Sequence, residues 1–225
     1  MFIEISGFLF LFIIVVLIIA TSKYGYEIFS ELDSEAQLQR INENPQKFRT
    51  GTVLVIIEHV AIVSLAMTLF LAFSPFNILL GLVWVASRST EGLVQIYKKK
   101  NYWNLLNIAE QYSLTSGADK EALVESALAT LESKNSTFSF AQILFSVGTL
   151  AYSILFATNT TVVPVIIGWF GIVASIIYLL GNAITRVRPN SRAVWNLGGL
   201  LIWIFELVLG GWLLFNLPLP IAVPL

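Results

Sequence analysis

Long apolar stretches separated by polar segments dominate the chain. A membrane-spanning α-helix needs about 20 mostly apolar residues, and six stretches of this kind occur. Their apolar residues do not alternate with polar ones, as they would in the strands of a membrane β-barrel. The pattern predicts an all-α integral membrane protein, a bundle of six transmembrane helices. The predicted spans are about Phe2–Thr21, Phe48–Phe73, Asn77–Tyr97, Phe138–Ala157, Val163–Ala183 and Trp195–Phe215.

The polar segments predict the domain organisation. The segment Tyr24–Gln46 is acidic and predicts a short surface helix that ends at Pro45. We expect one six-span domain over residues 1–217, followed by a proline-rich tail at 218–225 that cannot remain helical.

An insert between spans three and four is the longest polar segment, Lys98–Thr137. Its amphipathic patterns, Asn101–Tyr112 and Lys120–Ser133, predict a two-helix insert. These helices are expected to lie at the membrane surface over the inner mouth of the bundle. The alternative is that the insert binds a partner protein.

The distribution of basic residues predicts the orientation. Apart from Arg88, the basic residues lie in or beside the loops 22–47, 98–137 and 184–194. Loops rich in Lys and Arg remain cytoplasmic, so we expect these loops in the cytoplasm and both termini outside it, in a multi-pass protein of the cell membrane. A cleaved signal peptide is the alternative for span one, but Glu4 before its apolar run and Lys23 after it favour an uncleaved helix.

Composition narrows the chemistry. The chain is 56% hydrophobic and 12% charged, whereas soluble domains carry about 25% charged residues. It has no cysteine and one histidine, which excludes disulfides and thiolate chemistry and argues against a zinc site. The net charge of −1 gives no reason to expect nucleic acid. We expect a lipid bilayer as the main partner, and neither a cofactor nor a metal.

Polar and ionisable residues inside the spans are the candidate site. A charged side chain at a helix centre costs about 2.5–3.5 kcal/mol on insertion scales, so such groups normally face the protein interior. At 1.5 Å per residue, Glu58 and Arg88 lie roughly 13 Å, and Glu206 roughly 16 Å, from the cytoplasmic ends of their spans. This shared depth predicts a polar cavity in the cytoplasmic half. The candidate residues that bind a ligand or ion are Glu58, His59, Arg88, Glu91, Gln142, Asn182 and Glu206.

The spacing of the polar residues agrees with a shared interior face. Residues three and four apart lie on one side of a helix. Span three carries such a stripe, and spans four, five and six carry others. The stripes are Trp84, Arg88, Glu91 and Gln95; Gln142, Ser146, Thr149 and Ser153; Gly168, Gly171, Ser175, Tyr178 and Asn182; and Gly199, Trp203, Glu206 and Gly210.

The charges in these spans do not balance. Three carboxylates face one arginine, which leaves −2, or −1 when His59 is protonated. At least one carboxylate should therefore bind a proton or a cation. We expect Arg88 to pair with Glu58 or Glu91, and Glu206 to exchange its proton; alternatively, the charges only fix the helix register. His59 points about 100° away from Glu58 along the helix and is expected to be a structural, hydrogen-bonded residue.

Four short motifs resemble a known family. They are Ile41-Asn-Glu-Asn-Pro45 before span two, Arg88-Ser-Thr-Glu-Gly92 within span three, Val163-Pro164, and Trp169-Phe-Gly171. Together they resemble the DUF4386 family of prokaryotic multi-span membrane proteins. The chain departs from that family at Val165, where an arginine is common. The resemblance implies a six-span protein and no particular activity.

Three functional hypotheses follow. The first is a non-enzymatic protein that binds or moves a small polar, cationic or proton-linked solute through the buried carboxylate and arginine site. The second is an accessory or interaction subunit in which the buried charges are structural and Lys98–Thr137 recruits a protein. The third is an intramembrane hydrolase that uses Glu58 and Glu206 as paired carboxylates.

Overall fold

The computed structural model describes residues 1–158, 163–188 and 192–215, and these residues form an all-α protein. The predicted tail, 218–225, lies outside the described residues. The helices are α1 (Phe2–Ser22), α2 (Ser34–Glu43), α3 (Pro45–Phe73), α4 (Ile78–Trp103), α5 (Leu105–Leu114), α6 (Ala118–Thr158), α7 (Val165–Val187) and α8 (Ala193–Phe215).

Five helices, α1, α3, α6, α7 and α8, are long and apolar enough to cross a membrane. Large apolar side chains on them are exposed, including Phe8, Ile166 and Leu200. An apolar exterior of this kind is stable in contact with lipid and not with water. The prediction of a multi-pass helical membrane protein is confirmed at this level.

The predicted third span is helical but less apolar than the others. It lies within α4, which is not among the five apolar helices. Ser87, Arg88, Ser89, Thr90 and Glu91 follow one another in the middle of α4 and lower its mean hydropathy. The structure therefore supports five apolar spans where the hydropathy pattern predicted six.

The insert between spans three and four differs from the prediction in its second helix. The predicted surface helix Lys120–Ser133 and the predicted span Phe138–Ala157 are parts of one continuous helix, α6, of 41 residues. Neither Pro nor Gly separates them, and hydroxyls in the join bond to the preceding turn: Thr137 Oγ1 donates to the Ser133 carbonyl and Ser139 Oγ to the Asn135 carbonyl. At 1.5 Å per residue this helix is about 60 Å long, twice the thickness of a hydrocarbon core. Its amino-terminal half therefore extends beyond any apolar layer that its carboxyl-terminal half crosses.

The described residues divide into two compact units. The first unit comprises Met1–Ile14, Ala61–Gly92 and the chain from Ala141 onward. In its core, Trp84 Nε1 donates to the Ala66 carbonyl over 3.1 Å and the Tyr152 hydroxyl donates to the Leu69 carbonyl. These bonds satisfy the polar atoms of two buried aromatic residues that otherwise pack among apolar side chains.

Close helix contacts in the first unit depend on glycine. Helix α7 packs against α8. A Cβ atom on Gly168 would lie 2.7 Å from Ala157 Cα, and one on Gly198 would lie 2.6 Å from Tyr178 Cα. Only glycine permits backbones to approach this closely, as is typical of helix interfaces in membranes.

The second unit comprises Val15–Val60 and Leu93–Phe140. Its core is formed by apolar faces of the polar segments: Leu38 of α2, Leu105 and Ala109 of α5, and Leu131 of α6 are fully buried. Helix α2 packs against α5, and Asn42 Nδ2 donates to the Ala109 carbonyl over 2.5 Å. The insert and the loop after span one thus fold together.

Helix α2 occupies part of the predicted acidic segment and begins at a side-chain cap. Asp33 Oδ1 accepts from the Ala36 amide over 3.0 Å, which satisfies a free amide of the first turn. The helix ends at Glu43, and Pro45 begins α3, where the missing amide of proline is tolerated. Pro45 therefore separates two helices, as the sequence predicted.

Candidate functional site

Arg88 and Glu91 form an ion pair within α4. Arg88 Nη1 lies 2.6 Å from Glu91 Oε2, and both side chains are 2% exposed. The guanidinium carbon lies 4.3 Å from the Phe145 ring centroid and 5.5 Å from the Trp84 ring. The absence of a side chain on Gly148 makes room for the arginine, because a Cβ there would lie 3.0 Å from Arg88 Cγ. Of the two predicted partners of Arg88, Glu58 and Glu91, Glu91 forms the ion pair.

Gln142 and Asn182 are connected through Tyr178, all in the first unit. The Tyr178 hydroxyl donates to Gln142 Oε1 over 2.7 Å. Asn182 Nδ2 donates to the Tyr178 carbonyl over 2.8 Å, and Asn182 Oδ1 accepts from Trp195 Nε1 over 3.1 Å. These side chains thus form a buried polar network, and Tyr178 joins two predicted site residues.

Glu206 belongs to the same unit and is 9% exposed. The Tyr178 hydroxyl lies within electrostatic range of both Glu91 and Glu206, which places these carboxylates around one aromatic residue. The stripe predicted for span six is only partly correct, because Trp203 is 40% exposed. The buried face of α8 is formed instead by Gly198, Ile202, Phe205, Glu206, Leu209, Gly210 and Leu213.

Glu58 and His59 lie in the second unit and contact each other. His59 Nδ1 lies 2.5 Å from Glu58 Oε2 and 2.6 Å from the Val55 carbonyl oxygen. Both residues are buried, at 6% and 4% exposure. The prediction that the imidazole points away from Glu58 is therefore wrong: the two Cβ atoms diverge, but the longer glutamate side chain reaches back to the ring.

His59 Nε2 makes no hydrogen bond of normal geometry within the described part of the chain, and Arg88 Nε of the first unit shares the property. Gln95 is the polar side chain next to the imidazole, and Glu58 Oε2 is the oxygen that contacts His59 Nδ1. A buried polar atom without a partner costs about 1–3 kcal/mol and normally marks a place for water, a proton or a ligand.

Two buried lysines complete the second unit and were not predicted as site residues. Lys99 is 6% exposed and Lys134 is 9% exposed. The Lys99 ammonium donates to the Tyr26 hydroxyl. The Lys134 ammonium donates to the Glu27 carbonyl over 2.5 Å and to Ser30 Oγ over 2.6 Å. Each lysine is thus held by neutral oxygen acceptors.

Both ammonium groups make cation–π contacts with the same two tyrosine rings. Lys99 Nζ lies 4.7 Å from the Tyr26 ring centroid and 5.7 Å from that of Tyr102. Lys134 Nζ lies 5.0 Å and 5.1 Å from the same two rings. Contacts of this kind stabilise a desolvated cation.

The lysines lie beyond the apolar parts of their helices, Lys99 after Tyr97 and Lys134 before Phe138. Burial lowers the pKa of Lys99 to about 8, although the negative charge of Glu58 opposes the change. Burial and the neighbouring Lys99 charge lower the pKa of Lys134 to about 7, against the attraction of Glu27. Burial also raises the pKa of Tyr26 well above its usual value, so the hydroxyl remains a neutral partner.

The sequence contained a signal for one of these lysines. The stripe Trp84, Arg88, Glu91, Gln95 continues in the same spacing to Lys99 and then Tyr102, and all six residues are buried. The distribution of basic residues, by contrast, predicts a place for Lys99 in the cytoplasmic loop 98–137.

The predicted site residues come from both compact units. Arg88, Glu91, Gln142, Asn182 and Glu206 belong to the first unit, whereas Glu58 and His59 belong to the second. The buried Lys99 also changes the charge count, because its cation lies within electrostatic range of Glu58. Among the described residues, no group of three or more His, Cys, Asp or Glu is arranged to hold a metal ion.

A family model, described as Domain of unknown function (DUF4386), matches residues 5–216. No curated protein and no solved structure matches the chain. The family match covers nearly the whole chain and confirms the resemblance carried by the motifs at 41–45, 88–92, 163–164 and 169–171. The chain therefore belongs to the DUF4386 family.

Proposed function

We propose that this chain is a six-span membrane protein that binds, and moves, a proton together with a small polar or cationic solute. In this proposal α4 crosses the membrane in addition to the five apolar helices. The basic loops face the cytoplasm and both termini face the opposite side. The internal pairing of Arg88 with Glu91 supports a spanning role for α4, because the pair carries no net charge into the apolar layer.

The Glu58–His59 pair is the observation that carries the proposal. A carboxylate oxygen and an imidazole nitrogen lie 2.5 Å apart within the long apolar helix α3. When the imidazole is neutral, its Nδ1 proton lies between the two groups and the pair has a net charge of −1. When a second proton binds the imidazole, the net charge of the pair becomes zero. An imidazole changes charge close to neutral pH more readily than any other side chain, and its partner carboxylate fixes the orientation of the ring.

An imidazole nitrogen of the pair that makes no hydrogen bond of normal geometry in the described part of the chain supports a binding role. This nitrogen is His59 Nε2. An imidazole whose Nδ1 hydrogen is held by Glu58 and the Val55 carbonyl presents Nε2 as an acceptor. A proton, or the donor group of a polar solute, would satisfy that acceptor.

Glu206 is proposed as a second proton-exchanging carboxylate, in the first unit. Arg88 is already paired with Glu91, so its charge is largely neutralised at short range. Glu206 is buried and within electrostatic range of the Tyr178 hydroxyl, which belongs to the polar network of Gln142 and Asn182.

Proton movement can be measured in liposomes that contain purified protein and a trapped pH-sensitive dye. After an imposed pH difference, wild-type protein should accelerate equilibration over empty liposomes, and Glu58→Gln and His59→Gln should slow it by about tenfold or more. Glu206→Gln should also slow it. Glu4→Gln is the matched control, because Glu4 is 45% exposed and its salt bridge among the described residues is with the terminal amine.

Thermal unfolding of each variant verifies that lost flux does not reflect a lost fold. Equal equilibration by wild type, Glu58→Gln and His59→Gln would contradict the proposal. Loss of flux in Glu206→Gln alone would move the proton site from α3 to α8.

A further inference from the structure

A polar groove that contains Lys100 lies in the second unit, between the end of α4, the start of α5 and the amino-terminal half of α6. It encloses about 540 Å³ and is lined by residues that include Lys100, Asn101, Trp103, Asn107, Thr130 and Ser133. We call this space the basic groove. Its volume far exceeds the roughly 30 Å³ that one water occupies in the liquid, so a chemical group of several heavy atoms fits there.

A smaller cavity continues from the basic groove toward the buried lysines. It encloses about 20 Å³, shares Asn101, Thr130 and Ser133 with the groove, and is also lined by Lys99 and Lys134. Lys98 lines the same cavity and is exposed. The two spaces together present four lysines and no acidic residue.

The hydrogen-bonding groups around these spaces suit an anion. Hydroxyls and side-chain amides, together with ammonium groups, are donors to phosphate oxygens. Neither Lys99 nor Lys134 has a salt bridge among the described residues; their hydrogen bonds go to neutral oxygens. Two buried cations that repel each other are stabilised by an anion, because its charge offsets both their desolvation and their mutual repulsion.

The level of the basic groove favours a group from the membrane surface. Lys98, Lys99 and Lys100 follow directly after Tyr97, the predicted end of the third span. Tyr97 is 76% exposed and Trp103 is 38% exposed, and exposed Tyr and Trp are typical of the interface between hydrocarbon and water. Basic residues immediately cytoplasmic of a span recognise anionic lipid headgroups.

From these features we infer that the basic groove binds a phosphate group of an anionic ligand, with Lys100 as a direct contact, the exposed Lys98 of the adjoining cavity as a nearby cation, and Lys99 and Lys134 as buried countercharges. The phosphate of an anionic lipid and that of a soluble phosphate compound share this chemistry. This site is distinct from the Glu58–His59 pair, although Glu58 lies within electrostatic range of Lys99, and it requires no proton movement.

Thermal unfolding of purified protein in a neutral detergent, followed by tryptophan fluorescence, tests the inference. One arm adds inorganic phosphate, and another adds mixed micelles that contain phosphatidic acid. Phosphatidylcholine micelles and sodium chloride at matched ionic strength are the references. We expect a concentration-dependent rise of the unfolding temperature with phosphatidic acid, with inorganic phosphate, or with both. A response to the lipid alone identifies a headgroup site, and a response to inorganic phosphate identifies a site open to soluble ligands.

The variants separate binding from folding. Lys98→Gln with Lys100→Gln removes two exposed charges, so the protein should fold, and the half-saturating phosphate concentration should rise about tenfold or more. Lys47→Gln removes an exposed lysine of the same unit outside the groove and should behave like wild type. Stabilisation that is absent in both arms, or that equals the references, or that is unchanged in the double variant, would overturn the inference.

Discussion

Arg88 and Glu91 form a salt bridge of 2.6 Å between residues three apart on α4, and each side chain is 2% exposed. The pair is self-contained, because both partners come from one helix. Burial of an ion pair, which has no net charge, costs less free energy than burial of either ion alone. This relationship explains how the least apolar of the predicted spans carries two charges in its centre.

Removal of one partner should therefore be more damaging than removal of both. Arg88→Met and Glu91→Leu should each lower the free energy of unfolding by about 3–5 kcal/mol, because a buried charge loses its partner. The double variant should recover most of that loss. Unfolding in mixed micelles, monitored by circular dichroism, measures the three values.

Arg40→Met is the control for this cycle, because Arg40 is 50% exposed in its bridge to Glu27 and exposed bridges contribute about 0–1 kcal/mol. Additive losses in the double variant would show that the two side chains are stabilised independently, contrary to a self-contained pair.

The close contact of α7 with α6 should not tolerate a methyl group. Gly168→Ala places a Cβ 2.7 Å from Ala157 Cα and 2.7 Å from the Phe156 carbonyl carbon, and these backbone atoms cannot move aside. We expect a loss of about 1–3 kcal/mol or more from overpacking. Gly211→Ala meets nothing within 4 Å and should stabilise the helix by about 0.5–1 kcal/mol. Equal unfolding temperatures for the two variants would rule out this contact.

Stability should rise with pH above neutrality because of the buried lysines. Burial lowers the pKa of Lys99 to about 8 and of Lys134 to about 7, whereas the unfolded chain has values of about 10.4. Above the lowered values the unfolded chain binds more protons than the folded chain, so the free energy of unfolding increases with pH up to about pH 10. Denaturation of the phosphate-free protein at pH 7 and pH 9 measures the effect.

Other titratable groups close to these lysines also contribute to the pH dependence of the free energy of unfolding. They are Glu58 and His59 on α3, Tyr102 on α4, and Tyr26 and Glu27 in the loop after α1. Burial raises the pKa of both tyrosines, so they remain neutral over this range. Lys134→Met should reduce the slope between pH 7 and pH 9; an unchanged slope would assign it to other groups.

The six-span topology predicts opposite sides for the two ends of α4. The chain has no cysteine, so single cysteines are specific labels. Pro75→Cys, before α4, should react with a membrane-impermeant maleimide in intact cells. Ser116→Cys, between α5 and α6, should react only after permeabilisation; both positions are exposed in the structure. Reaction of both cysteines in intact cells would mean that α4 does not cross.

Five of the six predicted spans, and much of the interior face, were predictable from local pattern. Continuous apolar runs identified the helices, and the spacing of Trp84, Arg88, Glu91 and Gln95 identified a buried face. Both depend on the helical period, which the sequence displays directly. The position of Glu91, three residues from Arg88, likewise made their pairing predictable.

The remaining features depend on packing that no local pattern encodes. Lys99 and Lys134 belong to a predicted cytoplasmic insert, where burial is not expected, but Tyr26 and Tyr102 come from distant segments and enclose them. The Glu58–His59 contact depends on side-chain reach and not on helix direction. The division of the candidate residues between two units likewise emerges only from tertiary contacts.

The proton-binding role of the Glu58–His59 pair is the central claim, and His59 offers a direct measurement. Because His59 is the one histidine of the chain, protein labelled with ¹⁵N-histidine gives imidazole signals from this residue alone. Solid-state NMR in lipid bilayers should show conversion of neutral imidazole to imidazolium as the pH falls from about 8 to about 5, and Glu58→Gln should change the pH at which this occurs. Signals of one unchanged form across that range, in both proteins, would contradict the claim.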